Sequence, residues 1–358
     1  MTMREEEVFI RLVRLGIGVH QSIQLPASIN WNRLYSIAES QGLSAIVLDG
    51  LGLLPLEQRP AKKDLLQLIG CVLLAEERYA IQWKAADEMS LLFANNAIRT
   101  YVLKGYVISE CYPNPIHRPS VDMDCFLLPD RSIFNAWDLG NQLIRHAGFE
   151  VDTSFYKNST FYLPGLTVEN HKYMVPVRGS RQLKSLEKIL RSYILSDKGE
   201  DRIQGTHLFR PPVIMSALFI IEHAYSHFLH EGITWRHVLD WIMFRGKHKS
   251  DIDWNTLNAL IDEFGFRKFY DSYCNLGKYL LGVIEERSLT KLDKKMLADI
   301  WAPLDLHETQ DKVKLRLALA GSTLRARWKY YYFTPISMPH ALWIQVKGFL
   351  FEKQPKLE

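Results

Sequence analysis

Strand-like sequence is confined to one internal segment of this chain, and helical periodicity fills the sequence on both sides of it. Before residue 98 apolar residues recur at helical spacing, most clearly over 64–95, where no proline interrupts the pattern. Between 99 and 178, short β-prone runs alternate with turn residues. The chain is therefore predicted to be α+β, with a helical N-terminal region (1–98), a mixed sheet domain (99–178) and a helical C-terminal domain (179–358).

The sheet domain has five predicted strands. They are Thr100–Leu103, Val121–Leu128, Phe149–Tyr156, Ser159–Leu163 and Leu166–Tyr173. Pro164-Gly165 is predicted to form the turn between the last two strands. Asp130 is a candidate N-cap for a helix over 131–147, and Gly148 is expected to end that helix.

Composition excludes several classes of protein. The formal charge of +4 over 358 residues is too small to indicate a nucleic-acid partner by itself. The four cysteines are scattered, which fits neither a disulfide framework nor a zinc ribbon. The N-terminus lacks a signal-peptide pattern, and the longest apolar runs are shorter than the ~20 residues that span a bilayer. We expect no membrane span and a cytoplasmic location, while the oligomeric state stays open.

The sharpest local signal is a pair of aspartates on a predicted strand. Asp122 and Asp124 are two residues apart, so both carboxylates emerge from one face of the strand. Met123 and Cys125 occupy the other face and can enter a core. A third acid, Glu169, lies within another predicted strand. Paired carboxylates beside a core need a compensating cation, and Mg²⁺ prefers such oxygen ligands.

Taken alone, this pattern also fits aspartates that face water at the end of a strand. The context favours a site, because Lys104-Gly105 follows the preceding strand and glycine lets backbone amides approach a phosphate. His171 shares the face of Glu169. It is a candidate for contacting substrate or orienting the acid, with a purely structural role as the alternative.

These residues also carry a family resemblance. The segments involved are Val102-Leu-Lys-Gly105, Tyr112-Pro-Asn-Pro115, His117-Arg118, Asp122-Met-Asp-Cys-Phe-Leu-Leu128 and Val168-Glu-Asn-His171. Together they resemble the poorly characterised bacterial nucleotidyltransferase family of the DNA polymerase beta superfamily. Less specific similarity continues through the helical segment 223–241, so the resemblance covers most of the chain.

The resemblance implies an enzyme that moves a nucleotidyl group. Asp122 and Asp124 would hold two Mg²⁺ ions, and Glu169 would be the third catalytic and metal-binding acid. The substrate would be a nucleoside triphosphate such as ATP, and the acceptor a small molecule, a protein side chain or an RNA end. The acceptor hydroxyl would attack the α-phosphate, so that pyrophosphate leaves in line.

The resemblance also implies phosphate contacts from Gly105, Lys104 and Arg118. The sequence also departs from the superfamily pattern at two positions. Tyr106 follows Gly105 where a second small residue is usual, and Val121 precedes the first aspartate where glycine is common. The departures leave two alternatives to an active transferase: a catalytically impaired nucleotide-binding module and a protein-interaction module.

Other polar residues have two interpretations each. His223, His227 and His230 lie at helical spacing and either bind zinc or, as the pattern favours, pack within the helical domain. Arg236 and Asp240 are four apart, which favours an intrahelical ion pair over a nucleotide contact by Arg236.

The last stretch of the chain mixes basic and aromatic residues. The segment 325–332 interleaves the two types, which fits either packing on the protein body or single-stranded nucleic-acid binding, and packing is favoured. The amphipathic segment 343–351 is predicted to dock as a helix.

Overall fold

The computed structural model describes residues 4–130, 135–197, 199, 201–302, 326–334 and 337–343. The helices are α1 (Glu5–Gly16), α2 (Trp31–Ser40), α3 (Ser44–Gly52), α4 (Lys62–Ala94), α5 (Tyr106–Ser109), α6 (Ala136–His146), α7 (Arg181–Ser196), α8 (Val213–His230), α9 (Trp235–Lys247), α10 (Trp254–Glu263), α11 (Arg267–Leu280), α12 (Lys291–Trp301) and α13 (Arg327–Phe333). The strands are β1 (Ile98–Val102), β2 (Asp122–Pro129), β3 (Val151–Asp152), β4 (Asn158–Leu163), β5 (Leu166–His171) and β6 (Leu208–Phe209). Short 3₁₀ turns lie at Leu56–Gln58, Pro115–His117 and Glu286–Ser288.

The strands of the described residues form one mixed sheet in the order β3-β4-β5-β2-β1-β6. The α+β class is therefore confirmed. Strand β2 lies inside the sheet, antiparallel to β1 and parallel to β5. Strands β4 and β5 form a hairpin, and Gly165 in its turn has a φ of +74°, which glycine adopts without strain. Strand β6 pairs with β1 and lies beyond the range predicted for the sheet domain.

The long uninterrupted helix of the N-terminal region is confirmed, because α4 runs for 33 residues. It contacts β1, α6 and α3 and so joins the N-terminal helices to the sheet. Helices α1 and α3 cross closely at Gly16 and Gly50, where an added Cβ would collide with a backbone oxygen of the other helix. The glycines therefore set the distance between these two helices.

The helical C-terminal half is built around α8, whose buried apolar face continues into α9 and α11. Helix α13 docks on this core through the buried side chains of Tyr330 and Phe333. Lys329 is also buried, and its ammonium lies 2.7 Å from Asp299 and donates to the backbone oxygen of Phe228. The described part of the basic and aromatic segment therefore packs on the body, as favoured. Residues 325 and 344–351 lie outside the described residues.

Two sequence predictions for the sheet domain are wrong in extent. The helix predicted over 131–147 begins at Ala136, and Asn135 caps it by accepting from the backbone N–H of Asp138. Asp130, the predicted cap, forms an ion pair with Arg99 of β1 instead. Residues 131–134 lie outside the described residues.

The strand predicted over 149–156 is reduced to Val151–Asp152. The Asp152 carboxylate accepts a hydrogen bond from the backbone N–H of Ser154, two residues later. This local side-chain turn competes with the sheet ladder and accounts for the early end of the strand.

His117 clamps the N-terminal helices to the sheet domain. Its Nδ1 lies 2.7 Å from Asp49 of α3, and its Nε2 lies 2.7 Å from Glu76 of α4. The hydrogen bond to Asp49, aided by Glu76, raises the pKa of His117 although burial opposes the shift. The charged histidine therefore bridges two carboxylates on different helices.

This clamp predicts a stability that depends on pH. The pKa of His117 in the folded protein lies above its unfolded value of about 6.5. The contribution of His117 to the free energy of unfolding is therefore complete below about pH 6.5 and is lost as the pH rises through the folded pKa. We expect His117→Gln to cost about 1 kcal/mol at pH 6, given the partial exposure of both carboxylates, and less at pH 9. Urea unfolding of both proteins across this range is the measurement. An equal cost at both pH values would contradict a charged clamp.

Candidate active site

The predicted carboxylates meet at the join between two parallel strands. Asp124 of β2 is in register with Glu169 of β5, and parallel partners in register share one face of the sheet. Asp122 lies one pleat away on that face, opposite Thr167. Met123 points to the other face and is fully buried, as its alternation with the aspartates predicts.

His171 lies at the end of β5 and contacts both strands. Its Nε2 is 2.9 Å from Asp124 Oδ1 and 3.6 Å from Glu169 Oε2. Ligand atoms of these three residues lie within 4.8 Å of one another, a spacing that can hold one metal ion. Asp122 is outside this group. Asp124 and His171 are 3% and 1% exposed, whereas Glu169 is only partly buried and reaches solvent.

The two aspartates have opposite pKa shifts. Burial alone would raise the pKa of Asp124, but Lys104 and the hydrogen bond from His171 outweigh it and hold that pKa well below the usual value. Burial and the nearby charge of Asp124 raise the pKa of Asp122. Asp124 therefore ionises readily, whereas Asp122 would need a further positive charge nearby to ionise as readily as Asp124.

Lys104 connects the sheet to the helical half of the protein. Its Nζ lies 3.0 Å from Asp124 Oδ2 and 2.7 Å from Nε2 of His223 on α8. A lysine ammonium can only donate, so Nε2 of His223 accepts. Burial and the Lys104 charge lower the pKa of His223 well below its usual value, which fits this role. No local sequence pattern links His223 to the site, because the contact joins residues 119 positions apart.

Gly105 forms the turn that directs Lys104 into the site. Its φ is +75°, and an added Cβ would lie 3.1 Å from Ser120 Oγ. The positive φ favours glycine at this position, and the nearby hydroxyl adds to the cost of any side chain. The neighbouring Tyr106 turns away from the carboxylates and packs edge-on against Trp83 and Tyr79 of α4. The Tyr106 ring therefore lies among the side chains of α4 and does not enter the site.

Arg118 is buried in an ion pair that spans the two halves. Its Nε and Nη2 donate to the two carboxylate oxygens of Asp240 on α9, at 3.0 and 2.7 Å. Tyr112 also donates to Asp240, at 2.7 Å. The intrahelical pair favoured for Arg236 and Asp240 is wrong, because the carboxylate is already occupied by partners from the sheet domain. The predicted phosphate contact of Arg118 stays a prediction.

A small cavity, partly open to solvent, lies between the turn at Lys104 and helices α8, α9 and α11. Its charged and titratable wall residues are Lys104, Arg118, His223, Arg236, His237 and Asp240. Asp240 is neutralised by Arg118, so the remaining formal charge on the wall is positive. Among the described residues, Arg236 has no ion pair or hydrogen bond of its own, although it is partly buried. An uncompensated cation in a cavity favours an anionic ligand.

The histidines of α8 do not converge on a metal. His227 contacts Glu231 at 2.9 Å, and His230 Nδ1 donates to the backbone oxygen of Ser226 at 2.8 Å. His223 is engaged by Lys104. Within the part of the chain that the structure describes, the group with metal-ligand spacing is the one around Asp124. The packing interpretation of these histidines is therefore preferred to zinc.

The sequence was compared with models of known protein families, and the match agrees with the site described above. The sequence model of a family described as uncharacterised nucleotidyltransferase matches residues 27–282. The chain belongs to this family. No curated protein and no solved structure matches the chain significantly.

The nucleotidyltransferase match covers the sheet, the carboxylates and the helices that enclose the cavity. It supports a transferase at a coarse level, in agreement with the cluster of Asp124, Glu169 and His171. No helix in the described ranges is long and apolar enough to cross a lipid bilayer.

Proposed function

We propose that the protein is a magnesium-dependent nucleotidyltransferase with a polymerase-beta-like site, which moves a nucleoside monophosphate from a triphosphate to an acceptor hydroxyl. One observation carries this proposal. Carboxylates from two adjacent parallel strands, Asp124 and Glu169, share one face of the sheet, and Lys104 joins Asp124 to a cavity whose wall is positively charged. Acids that hold a metal and cations that hold phosphates are the two components that phosphoryl transfer needs.

The donor set fits divalent ions. Asp122, Asp124 and Glu169 offer carboxylate oxygens, and burial of Asp124 gives an incoming cation a strong electrostatic gain. Asp122 and Asp124 would hold an ion on the triphosphate side, and Glu169 one on the acceptor side. Bound there, the ions would neutralise phosphate charge and lower the pKa of the acceptor hydroxyl.

The protein's own side chains bind and orient the substrate. Lys104 and Arg236 line the cavity, and their ammonium and guanidinium groups suit the β- and γ-phosphates. Glu169 is partly exposed at the edge of the site, where an acceptor can approach, and it can take the acceptor proton. Helices α8 and α9 line the cavity and reduce the water around the phosphates.

The alternative of a nucleotide-binding module without chemistry rested on Tyr106 and Val121. Tyr106 packs into the core against α4, and Val121 is 70% exposed immediately before β2. Neither side chain fills the space between the carboxylates and the cavity wall. This arrangement favours the active enzyme over the impaired module.

The direct test measures melting temperature with each of the four ribonucleoside triphosphates, with and without Mg²⁺. Ligands that bind only the native state raise the melting temperature by mass action. We expect a magnesium-dependent increase with at least one triphosphate, followed by transfer of its α-phosphate label to an acceptor. The acceptor is sought among small-molecule, protein and RNA fractions. No increase with any triphosphate would overturn the proposal.

Arg236 allows a sharper test of the phosphate subsite. Replacing it with methionine keeps the aliphatic stem but removes the charge, and each hydrogen bond to a charged group contributes about 1.5–3 kcal/mol. We therefore expect Arg236→Met to raise KM for the triphosphate by about 10-fold or more.

Arg245→Met is the matched control on the same helix, because Arg245 stacks on Trp254 away from the cavity. In steady-state kinetics, Arg245→Met should have the same KM for the triphosphate as the unmodified protein. Equal KM values for the two variants would contradict a phosphate contact by Arg236.

A further inference from the structure

The ring of His171 is oriented so that one nitrogen faces the carboxylates. Its Nδ1 lies 3.1 Å from the backbone oxygen of Tyr173. A carbonyl oxygen only accepts hydrogen bonds, so Nδ1 carries a proton and donates it. In the neutral ring, Nε2 then has a bare lone pair directed at Asp124 Oδ1 and Glu169 Oε2, at 2.9 and 3.6 Å.

A lone pair that faces two carboxylate oxygens inside a protein requires a cation between them. His171 and Asp124 are almost completely buried, so water does not screen their mutual repulsion. A proton on Nε2 or a metal ion can serve as that cation. A divalent ion would contact all three donors at once.

The distances between the donor atoms of His171, Asp124 and Glu169 fit three ligands of one metal ion. Neighbouring ligands of an octahedral ion with bonds of about 2.1 Å are about 3.0 Å apart. The distances from Nε2 of His171 to the oxygens of Asp124 and Glu169 are close to this value, and the whole group lies within 4.8 Å. The hydrogen bond from Nδ1 to a backbone carbonyl is the outer contact that metal-binding histidines usually make.

Asp124 has a different neighbour at each of its two oxygens. Oδ1 faces His171, whereas Oδ2 faces the ammonium of Lys104 at 3.0 Å, on the side of the cavity. The two oxygens therefore mark two distinct cation positions. Asp122 lies outside the histidine group, so its carboxylate is left for a second ion.

We infer that Asp124, Glu169 and His171 form a mixed nitrogen and oxygen site for a first-row transition metal ion, of which Mn²⁺ is one. The site binds such an ion more tightly than Mg²⁺, because imidazole suits transition metals whereas Mg²⁺ prefers oxygen ligands. Mg²⁺ then enters with the triphosphate and is held by Asp122 and Asp124. The inference deepens the proposed function and rests on it for the role of the second ion.

The test is pulsed electron paramagnetic resonance of the full-length protein with less than one equivalent of Mn²⁺ and no nucleotide. We expect the electron spin-echo modulation of a directly bound ¹⁴N nucleus, persisting in about 100-fold excess Mg²⁺. Labelling all histidines with ¹⁵N should replace the ¹⁴N pattern, and this arm needs no variant. His171→Gln should lose the modulation and weaken Mn²⁺ binding by about 10-fold or more.

His227→Gln is the matched control, because its ring contacts Glu231 and lies outside the group. It should keep the modulation. The inference is overturned if Mn²⁺ does not bind, if bound Mn²⁺ shows no histidine nitrogen, or if His171→Gln retains the coupling. The assay contains no triphosphate, so a nitrogen-bound Mn²⁺ together with no nucleotide-dependent change in melting temperature would refute the proposed function alone.

Discussion

The variant that combines Asp122→Asn with Asp124→Asn is expected to lose nucleotidyl transfer by at least about 10³-fold. Asparagine has the shape of aspartate but no charge, so the site loses the carboxylates that would hold both ions. The measurement is transfer of α-phosphate label with the best triphosphate from the melting assay. Binding of triphosphate should lose its dependence on Mg²⁺ in the same variant.

The fold of this variant needs its own control, because Asp124 is a partner of Lys104 and His171. An asparagine at position 124 would still accept the hydrogen bond from His171, and Lys104 would keep its contact with His223. Glu169→Gln is the second arm, since Glu169 is partly exposed and makes no contact with Lys104 in the described residues. We expect it to lose activity with an unchanged melting temperature. Full activity in both variants would refute the assignment of these carboxylates.

The paired aspartates could be predicted from the sequence because strand alternation is a local rule. Asp122 and Asp124 had to share a face once β2 formed, with Met123 directed into the core. Their pairing with Glu169 could not be predicted in the same way. The parallel register of β2 and β5 joins residues 45 positions apart and is set by the connections between them. The predicted strand offered Glu169 as a candidate, and the resemblance implied its role as the third acid.

The cations were harder to predict than the acids. A spacing of four on a helix indicates a local ion pair, worth only about 0.3–0.5 kcal/mol. Asp240 instead takes Arg118, 122 positions away, and leaves Arg236 directed at the cavity. Arg118 binds the Asp240 carboxylate through two buried hydrogen bonds, and Tyr112 adds a third. These contacts are stronger than an ion pair with Arg236, four residues away on the same helix. No local pattern encodes that choice, because it depends on how the two halves pack.

The C-terminal half is helical as predicted, and strands β1, β2, β4 and β5 were predicted to within two residues at each end, whereas β3 was predicted too long and β6 was missed. Helices such as α8 carry their apolar periodicity over many turns, so the signal accumulates. Strand β6 has two residues and is defined by its partner β1. Its position depends on tertiary contact that a single sequence segment does not reveal.

Asp240→Ala is expected to destabilise the protein by about 3–5 kcal/mol, because it leaves the Arg118 charge buried without its counterion. Arg118 is 3% exposed and Asp240 is 6% exposed, so solvent cannot replace the lost contacts. Tyr112 would lose its acceptor as well. Urea unfolding measures the change. Asp240→Asn should cost less, since its amide oxygen still accepts one hydrogen bond.

Replacing both partners separates the cost of an unpaired charge from the value of the pair itself. Arg118→Met with Asp240→Leu removes both charges and fills most of the volume, so we expect it to recover much of the stability that Asp240→Ala loses. If Arg118 only joins the two halves, this double variant should keep KM for the triphosphate. If Arg118 also contacts phosphate, KM should rise although stability returns. A loss of less than about 1 kcal/mol in Asp240→Ala would contradict a buried, tightly coupled pair.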